Sequence, residues 1–204
     1  MSHRLHTLRM DNDEKGYRMA EMRPRFDSLG ARHATGEAPR AVSAYQLFQT
    51  PPTLAARLVA LLGTPARVLE PSAGLGRLLD VLPPCECVAV EVAPQLCEIL
   101  YRWNRPNIRM TLLQRDFLTV APLETGLFDA VAMNPPFHLR SDIAHIEHAL
   151  TFLKPGGRLA ALCLDTEHRE RALRHRCATW EKIPAGAFAG EGTRVACIML
   201  TIQT

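Results

Sequence analysis

The 204-residue chain reads as an α/β protein built on a mostly parallel sheet with helices on both faces. Three observations predict this. Short apolar runs alternate with segments of helical periodicity from residue 45 onward, the pattern of a parallel sheet with crossover helices. Acidic residues stand where successive strands end. The last two strands follow each other without a full helix between them, which predicts an antiparallel hairpin at one edge.

The elements follow in order. Thr50-Pro51-Pro52 opens a helix, with Thr50 as cap and proline in the first turn, where a missing N–H costs nothing. Leu54, Leu58, Leu61 and Leu62 recur at helical spacing, and Gly63 and Pro65 stop the helix. A strand over 67–69 leads into a glycine turn and a helix over about 77–82, ended by Pro83-Pro84. The second strand spans 87–91 and is followed by a helix from Pro94 to about Trp103. A third strand near 109–113 leads to Asp116-Phe117. A fourth over 128–133 runs into Asn134-Pro135-Pro136-Phe137. A helix over roughly 142–153 precedes the turn Lys154-Pro155-Gly156-Gly157 and a fifth strand over 158–164. An Arg/His-rich helix, 167–176, comes before strands near 179–183 and 195–202.

The composition, 47% hydrophobic and 22% charged, supports one domain with a sizeable core. Residues 1–42 read as a basic, partly mobile arm, and residues 43–204 as the folded domain. A net charge of +3 permits a nucleic-acid partner without requiring one. No apolar run is long enough to span a bilayer, and the charged N-terminus has no signal core, so a cytoplasmic location is expected. Cys85, Cys87, Cys97, Cys163, Cys177 and Cys197 form no paired CxxC units, and no metal site is expected. They read as buried free thiols.

Two constellations carry chemistry. The first is Glu70-Pro71-Ser72-Ala73-Gly74-Leu75-Gly76, at a strand-to-helix junction. Ligands bind at such strand ends in open parallel sheets, and glycines let the backbone approach them. Glu91 ends the next strand about 20 residues on, where an acid can accept hydrogen bonds from ribose hydroxyls. Leu79 stands where a dinucleotide motif would have its third glycine, which argues against a dehydrogenase. Glu70 suits a ligand bearing an ammonium group. Asp116 fits an adenine pocket as an acceptor for the amino group, with Phe117 packed on the ring.

The second constellation is Asn134-Pro135-Pro136-Phe137. Two prolines fix the backbone and remove two amide donors. The Asn134 side-chain oxygen and the Pro135 carbonyl remain as acceptors for the two hydrogens of an exocyclic amine. Such bonds orient a poorly nucleophilic aromatic amine and favour the positive charge that grows on its nitrogen during attack on a sulfonium methyl. Phe137 offers a stacking face for an extruded base.

These residues resemble the class I S-adenosylmethionine-dependent methyltransferases, and within them the amino-methyltransferases with an (Asn/Asp/Ser)-Pro-Pro-(Tyr/Phe/Trp) motif. The resemblance spans about residues 45–204. The order Phe48-Gln49-Thr50-Pro51, then Glu70–Gly74, then Asn134–Phe137 is most similar to DNA N6-adenine methyltransferases. The resemblance implies a Rossmann-like seven-stranded sheet with an antiparallel last strand, and S-adenosylmethionine as cofactor. It puts Thr50 and Pro51 beside the cofactor, Glu70, Pro71, Ser72, Ala73, Gly74 and Gly76 near its methionine portion, Glu91 on the ribose and Asp116 and Phe117 at the adenine. Asn134 to Phe137 would hold the target amine, with Asn134 also beside the cofactor.

Sequence-specific DNA methyltransferases usually carry a sizeable target-recognition region, and none is visible. The resemblance therefore implies promiscuity, a specificity subunit or homo-oligomer, or readout of a short context by the arginine-rich arm and the Arg169/Arg171/Arg174/Arg176 helix. That helix also reads as a solvated face with local charge pairs. Asn134–His138 resembles ribosomal RNA guanine methyltransferases as well, and protein glutamine methyltransferases carry a Tyr variant of the motif. A non-catalytic binding subunit with this fold is the alternative from another class.

Overall fold

The computed structural model describes residues 49–102, 105–137, 141–191 and 194–204. The reading of residues 1–42 as an arm, together with Phe48 and His138, lies outside these.

Seven strands form one sheet in the order β3-β2-β1-β4-β5-β7-β6. They are β1 (Arg67–Glu70), β2 (Cys85–Glu91), β3 (Ile108–Gln114), β4 (Phe128–Met133), β5 (Leu153–Leu164), β6 (Thr179–Ile183) and β7 (Cys197–Gln203). The first five are mutually parallel, and β7 runs antiparallel to both β5 and β6. This is the predicted Rossmann-like architecture. The chain leaves β1 toward β2 and β3 and returns on the other side at β4. That reversal is where an open α/β sheet binds ligands, outside the carboxyl ends of its strands.

Side chains alternate across each strand and so sort into two cores. Val68, Cys87, Ala89, Ala130, Ala132, Ala160 and Leu162 pack on one face with Leu54 and Leu58 of helix α1 (Pro52–Ala60) and Leu100 of α2 (Pro94–Arg102). Leu69, Val88, Val90, Val131, Met133, Leu159 and Ala161 pack on the other with Ile146 and Ala149 of α4 (Ser141–Leu150) and Leu173 of α5 (Glu167–Leu173). A short helix α3 (Pro122–Thr125) precedes β4. Each large apolar side chain buried in these cores contributes about 1.5–3 kcal/mol against the unfolded chain's entropy.

Four local expectations are corrected. Pro51, not Thr50, caps α1; its carbonyl accepts from the Ala55 amide at 2.9 Å. The 77–82 helix shrinks to a 3-10 turn, Leu79–Val81, because Gly76 and Pro83 leave no room for a second turn. Lys154–Gly157 belongs to β5 as a bulge: Phe128 faces Leu153, but Ala130 faces Arg158. The Arg/His-rich helix ends at Leu173 and continues as a 3-10 turn, Arg174–Arg176. Among the described residues no helix is long and apolar enough to cross a membrane.

Candidate functional site

The glycine loop after β1 is held open by its backbone conformation and by β2. Gly74 and Gly76 have φ of 54° and 79°, the left-handed region where a Cβ is costly. The Ala73 amide donates to the Val90 carbonyl at 3.0 Å, and the Gly76 amide to the Ala73 carbonyl at 2.7 Å. The Gly74 amide donates to Glu91 Oε2 at 2.8 Å, while Glu91 Oε1 accepts from the Ala93 amide at 2.9 Å. Glu91 thus shapes the loop itself. Each carboxylate oxygen has a second acceptor site, so this role leaves capacity for a ligand hydroxyl.

Two further arginines brace the loop. Arg77 donates from Nε and Nη2 to Gln49 Oε1, at 3.1 and 3.0 Å, which ties the loop to the segment entering α1. Arg105 lies against Gly76 and pairs with Asp80 at 3.1 Å, both side chains largely buried. Sequence reading missed this pair. Asp80 and Arg105 lie in unrelated segments, and no local spacing signals the contact.

Glu70 is the most unusual group at this edge. It is 1% exposed, and neither carboxylate oxygen has a hydrogen-bond partner. Burial pushes its pKa well above the usual carboxylate range; the nearby Ser72 amide, short of hydrogen-bond geometry, opposes the shift, and Glu91 adds to it. A buried, unpartnered carboxyl at the end of a central strand costs stability. A cation placed beside it would offset that cost. Of the predicted loop residues, Pro71 and Ala73 are buried, and Ser72, Gly74 and Leu75 are partly open.

At the end of β3, Asp116 is exposed and its Oδ1 accepts from the Leu118 amide at 3.0 Å. Phe117 is buried, with its ring centroid 4.8 Å from His148 and 5.3 Å from Phe152. It therefore backs this wall from the core. The exposed apolar side chains at the two strand ends are Val92, after β2, and Leu118, after β3. The Arg115 amide joins these ends by donating to the Glu91 carbonyl at 3.0 Å. Val92 and Leu118 were not singled out from sequence; an apolar residue directly after each strand-end acidic segment was the available signal. His145 packs beside Phe117, ring centroids 5.9 Å apart. Its Nδ1 donates to the Ser141 carbonyl at 2.7 Å, since a carbonyl can only accept, and burial lowers its pKa.

Asn134–Phe137 leaves β4 at the neighbouring strand end. Asn134 Nδ2 donates to the Thr50 hydroxyl at 3.0 Å, which leaves Oδ1 as the acceptor end of the amide in this arrangement. The Ser141 hydroxyl donates to the Pro136 carbonyl at 2.6 Å, and Arg169 Nη2 donates to the Phe137 carbonyl at 3.3 Å. Phe137 is 5% exposed and packs in the core with α1, so its ring is not presented as an open stacking face. Pro135 is buried and Pro136 partly so.

Arg169 requires a correction. Sequence reading put it with Arg171, Arg174 and Arg176 on a solvent-facing, nucleic-acid-reading helix. It is buried instead, and it clasps the fully buried Asp142 through Nε–Oδ2 at 2.7 Å and Nη2–Oδ1 at 3.0 Å. Arg171 is open to solvent, with Glu167 at 3.8 Å, as a local pair predicts.

One thiol touches the site: Cys97 Sγ donates to the Glu91 carbonyl at 3.5 Å. All six cysteines are free, and burial raises the pKa of Cys85 and Cys97 to about 11 and of Cys197 to about 12. They stay protonated and weakly nucleophilic.

No protein-family profile matches the chain. It is 32% identical over 129 residues to the type II methyltransferase M.XamI of Xanthomonas campestris pv. amaranthicola. The match covers 58% of this chain and 23% of that enzyme, so the chain spans about a quarter of its curated relative. Among solved structures it is similar to TrmN from Thermus thermophilus, with TM-score 0.59 and 22% identity over 78% of this chain and 51% of that one. It is also similar to the N-methyltransferase NodS from Bradyrhizobium japonicum in complex with S-adenosyl-L-homocysteine, with TM-score 0.56 and 18% identity over 88% and 97% of the two chains. The fold is that of the class I S-adenosylmethionine-dependent methyltransferases.

Proposed function

We propose that this protein transfers a methyl group from S-adenosylmethionine to an exocyclic amino nitrogen, and that the acceptor is N6 of adenine in DNA. The observation that carries the reading is the juxtaposition at the sheet's switch point. A glycine loop with an unpartnered buried carboxyl, Glu70, ends one strand, and an oriented Asn134 amide opens the motif at the end of its neighbour.

The residues fit the cofactor. Glu70 suits its ammonium group, Glu91 its ribose hydroxyls, and Val92 and Leu118 the faces of its adenine, with Asp116 at the edge. Bound there, the cofactor supplies an electrophilic methyl carbon on sulfur. An amino nitrogen held beside it would take that methyl group with its lone pair, the C–S electron pair leaving with sulfur. The nitrogen then sheds one proton to water. Asn134 Oδ1 and the Pro135 carbonyl accept the amine hydrogens and stabilise the growing positive charge. Support for DNA comes from the Phe48–Pro51 segment ahead of the glycine loop and from the likeness to a type II methyltransferase.

The test is methyl transfer from labelled S-adenosylmethionine to unmethylated DNA, ribosomal RNA and protein in parallel, followed by nucleoside analysis. N6-methyladenine in DNA is expected. Label in RNA or protein alone would overturn the choice of acceptor, and failure to bind the cofactor would overturn the reading as a whole.

A further inference from the structure

Resting on that reading, we propose that the buried Asp142–Arg169 pair is a positioning device that sets the geometry of the Asn134–Phe137 motif. Arg169 belongs to α5 and Asp142 to the first turn of α4, so the pair joins two helices packed on one face of the sheet. It also reaches across to the motif. Nη2 of Arg169 serves both Asp142 Oδ1 and the Phe137 carbonyl, and Nη1 lies 3.3 Å from the Thr166 hydroxyl, which caps α5. Ser141, next to Asp142, holds the Pro136 carbonyl.

The arrangement solves a problem created by the motif's composition. Two prolines lack amides, so the segment cannot be held by donating from those positions. Holding it requires donors aimed at its carbonyls. Ser141 and Arg169 supply them at Pro136 and Phe137, the two residues that directly follow the groups proposed to hold the amine. A planar guanidinium, pinned bidentately by one carboxylate, is a rigid donor, and a lysine cannot reproduce its fork. Buried ion pairs of this kind add little net stability compared with apolar substitutes. The contact to the motif gives this pair a role besides stability.

The experiment compares wild type, Arg169→Lys, the apolar double replacement Arg169→Met with Asp142→Leu, and the exposed control Arg109→Ala, near the start of β3. The double replacement removes both charges together, so it leaves no lone buried ion to prevent folding. Melting temperature, S-adenosylmethionine affinity, and kcat and KM on the acceptor found above are measured for each. Peptide-level hydrogen exchange over residues 133–145 is measured as well. For folded variants the expected result is near-wild-type cofactor affinity and KM, a kcat lowered by about 10- to 100-fold, and faster exchange confined to that segment. Arg109→Ala should match wild type. Wild-type kcat in a folded double variant, or unchanged exchange over 133–145, overturns the proposal. If wild type itself binds no cofactor, the functional reading fails instead, and the exchange data still decide whether the pair holds the motif.

Discussion

Thr50 and Asn134 stand 84 positions apart, yet the Thr50 hydroxyl receives the Asn134 amide hydrogen at 3.0 Å. A residue that the family resemblance puts beside the cofactor therefore also orients the residue proposed to hold the acceptor. Thr50→Val keeps shape and removes the acceptor oxygen, so the amide loses its preferred orientation. The expected outcome is a kcat lower by about 10- to 100-fold, with Thr50→Ser close to wild type. Asn134→Ala should abolish transfer while calorimetry still detects cofactor binding. Full turnover in Thr50→Val or in Asn134→Ala would refute the role assigned to that residue.

Glu91 joins the glycine loop to the end of β2 through the Gly74 and Ala93 amides. Glu91→Ala leaves two amides without their acceptor, at about 1–3 kcal/mol for each one that water cannot reach. Denaturant unfolding should show the lost stability even without cofactor, and calorimetry should show weaker cofactor binding. Unchanged unfolding would mean that the loop does not depend on this carboxylate.

Glu70 makes both stability and binding depend on pH. Its folded pKa lies above its unfolded value, because burial disfavours the charged form. Its contribution to stability is therefore fully present below the unfolded value of about 4.3 and is lost as pH rises through the raised folded value. Binding of an ammonium-bearing ligand favours the ionised form and should release a proton within that window. Calorimetry in buffers of different ionisation enthalpy reads the release directly. Glu70→Gln should remove both the release and this part of the stability slope, and a variant with unchanged proton release would reject Glu70 as the ammonium partner.

Gly76 has left-handed backbone, and a Cβ there would run into the Arg105 guanidinium. Gly76→Ala should cost about 1–2 kcal/mol in backbone strain, and more if the Asp80–Arg105 pair is displaced. Urea unfolding checks the loss. Stability equal to wild type would show that the loop relaxes freely and that the arginine is not seated against it.

Much of the framework was legible because it is written in local patterns. β4 and β6 fall at the predicted residues, since apolar runs bounded by turn residues are short-range signals. Lys154–Gly157 shows where that logic stops. Its composition demands a turn, but pairing with β4 on one side and β7 on the other absorbs the extra residues as a bulge. Arg169 shows the same limit for function. Its sequence neighbours Glu170, Arg171 and Arg174 signal a solvated face, while its partners Asp142 and Phe137 lie about thirty positions away. Helix periodicity cannot reveal a contact made by tertiary packing. The glycine loop and the Asn-Pro-Pro-Phe motif were visible as sequence, but their mutual arrangement and the burial of Phe137 required the fold.

The reversal of strand order between β1 and β4 also separates two tasks along the chain. The groups assigned to the cofactor, apart from Thr50, Pro51 and Asn134, come from the ends of β1, β2 and β3. The groups assigned to the acceptor come from β4, with their braces on α4 and α5. The two sets meet where β1 pairs with β4, Val68 with Ala130 and Leu69 with Val131, and where the Arg67 amide donates to Asp129 Oδ2 at 2.8 Å. Both hydrophobic cores run unbroken beneath the two sets, so a packing change under the acceptor groups also reaches the strands that end at the cofactor groups.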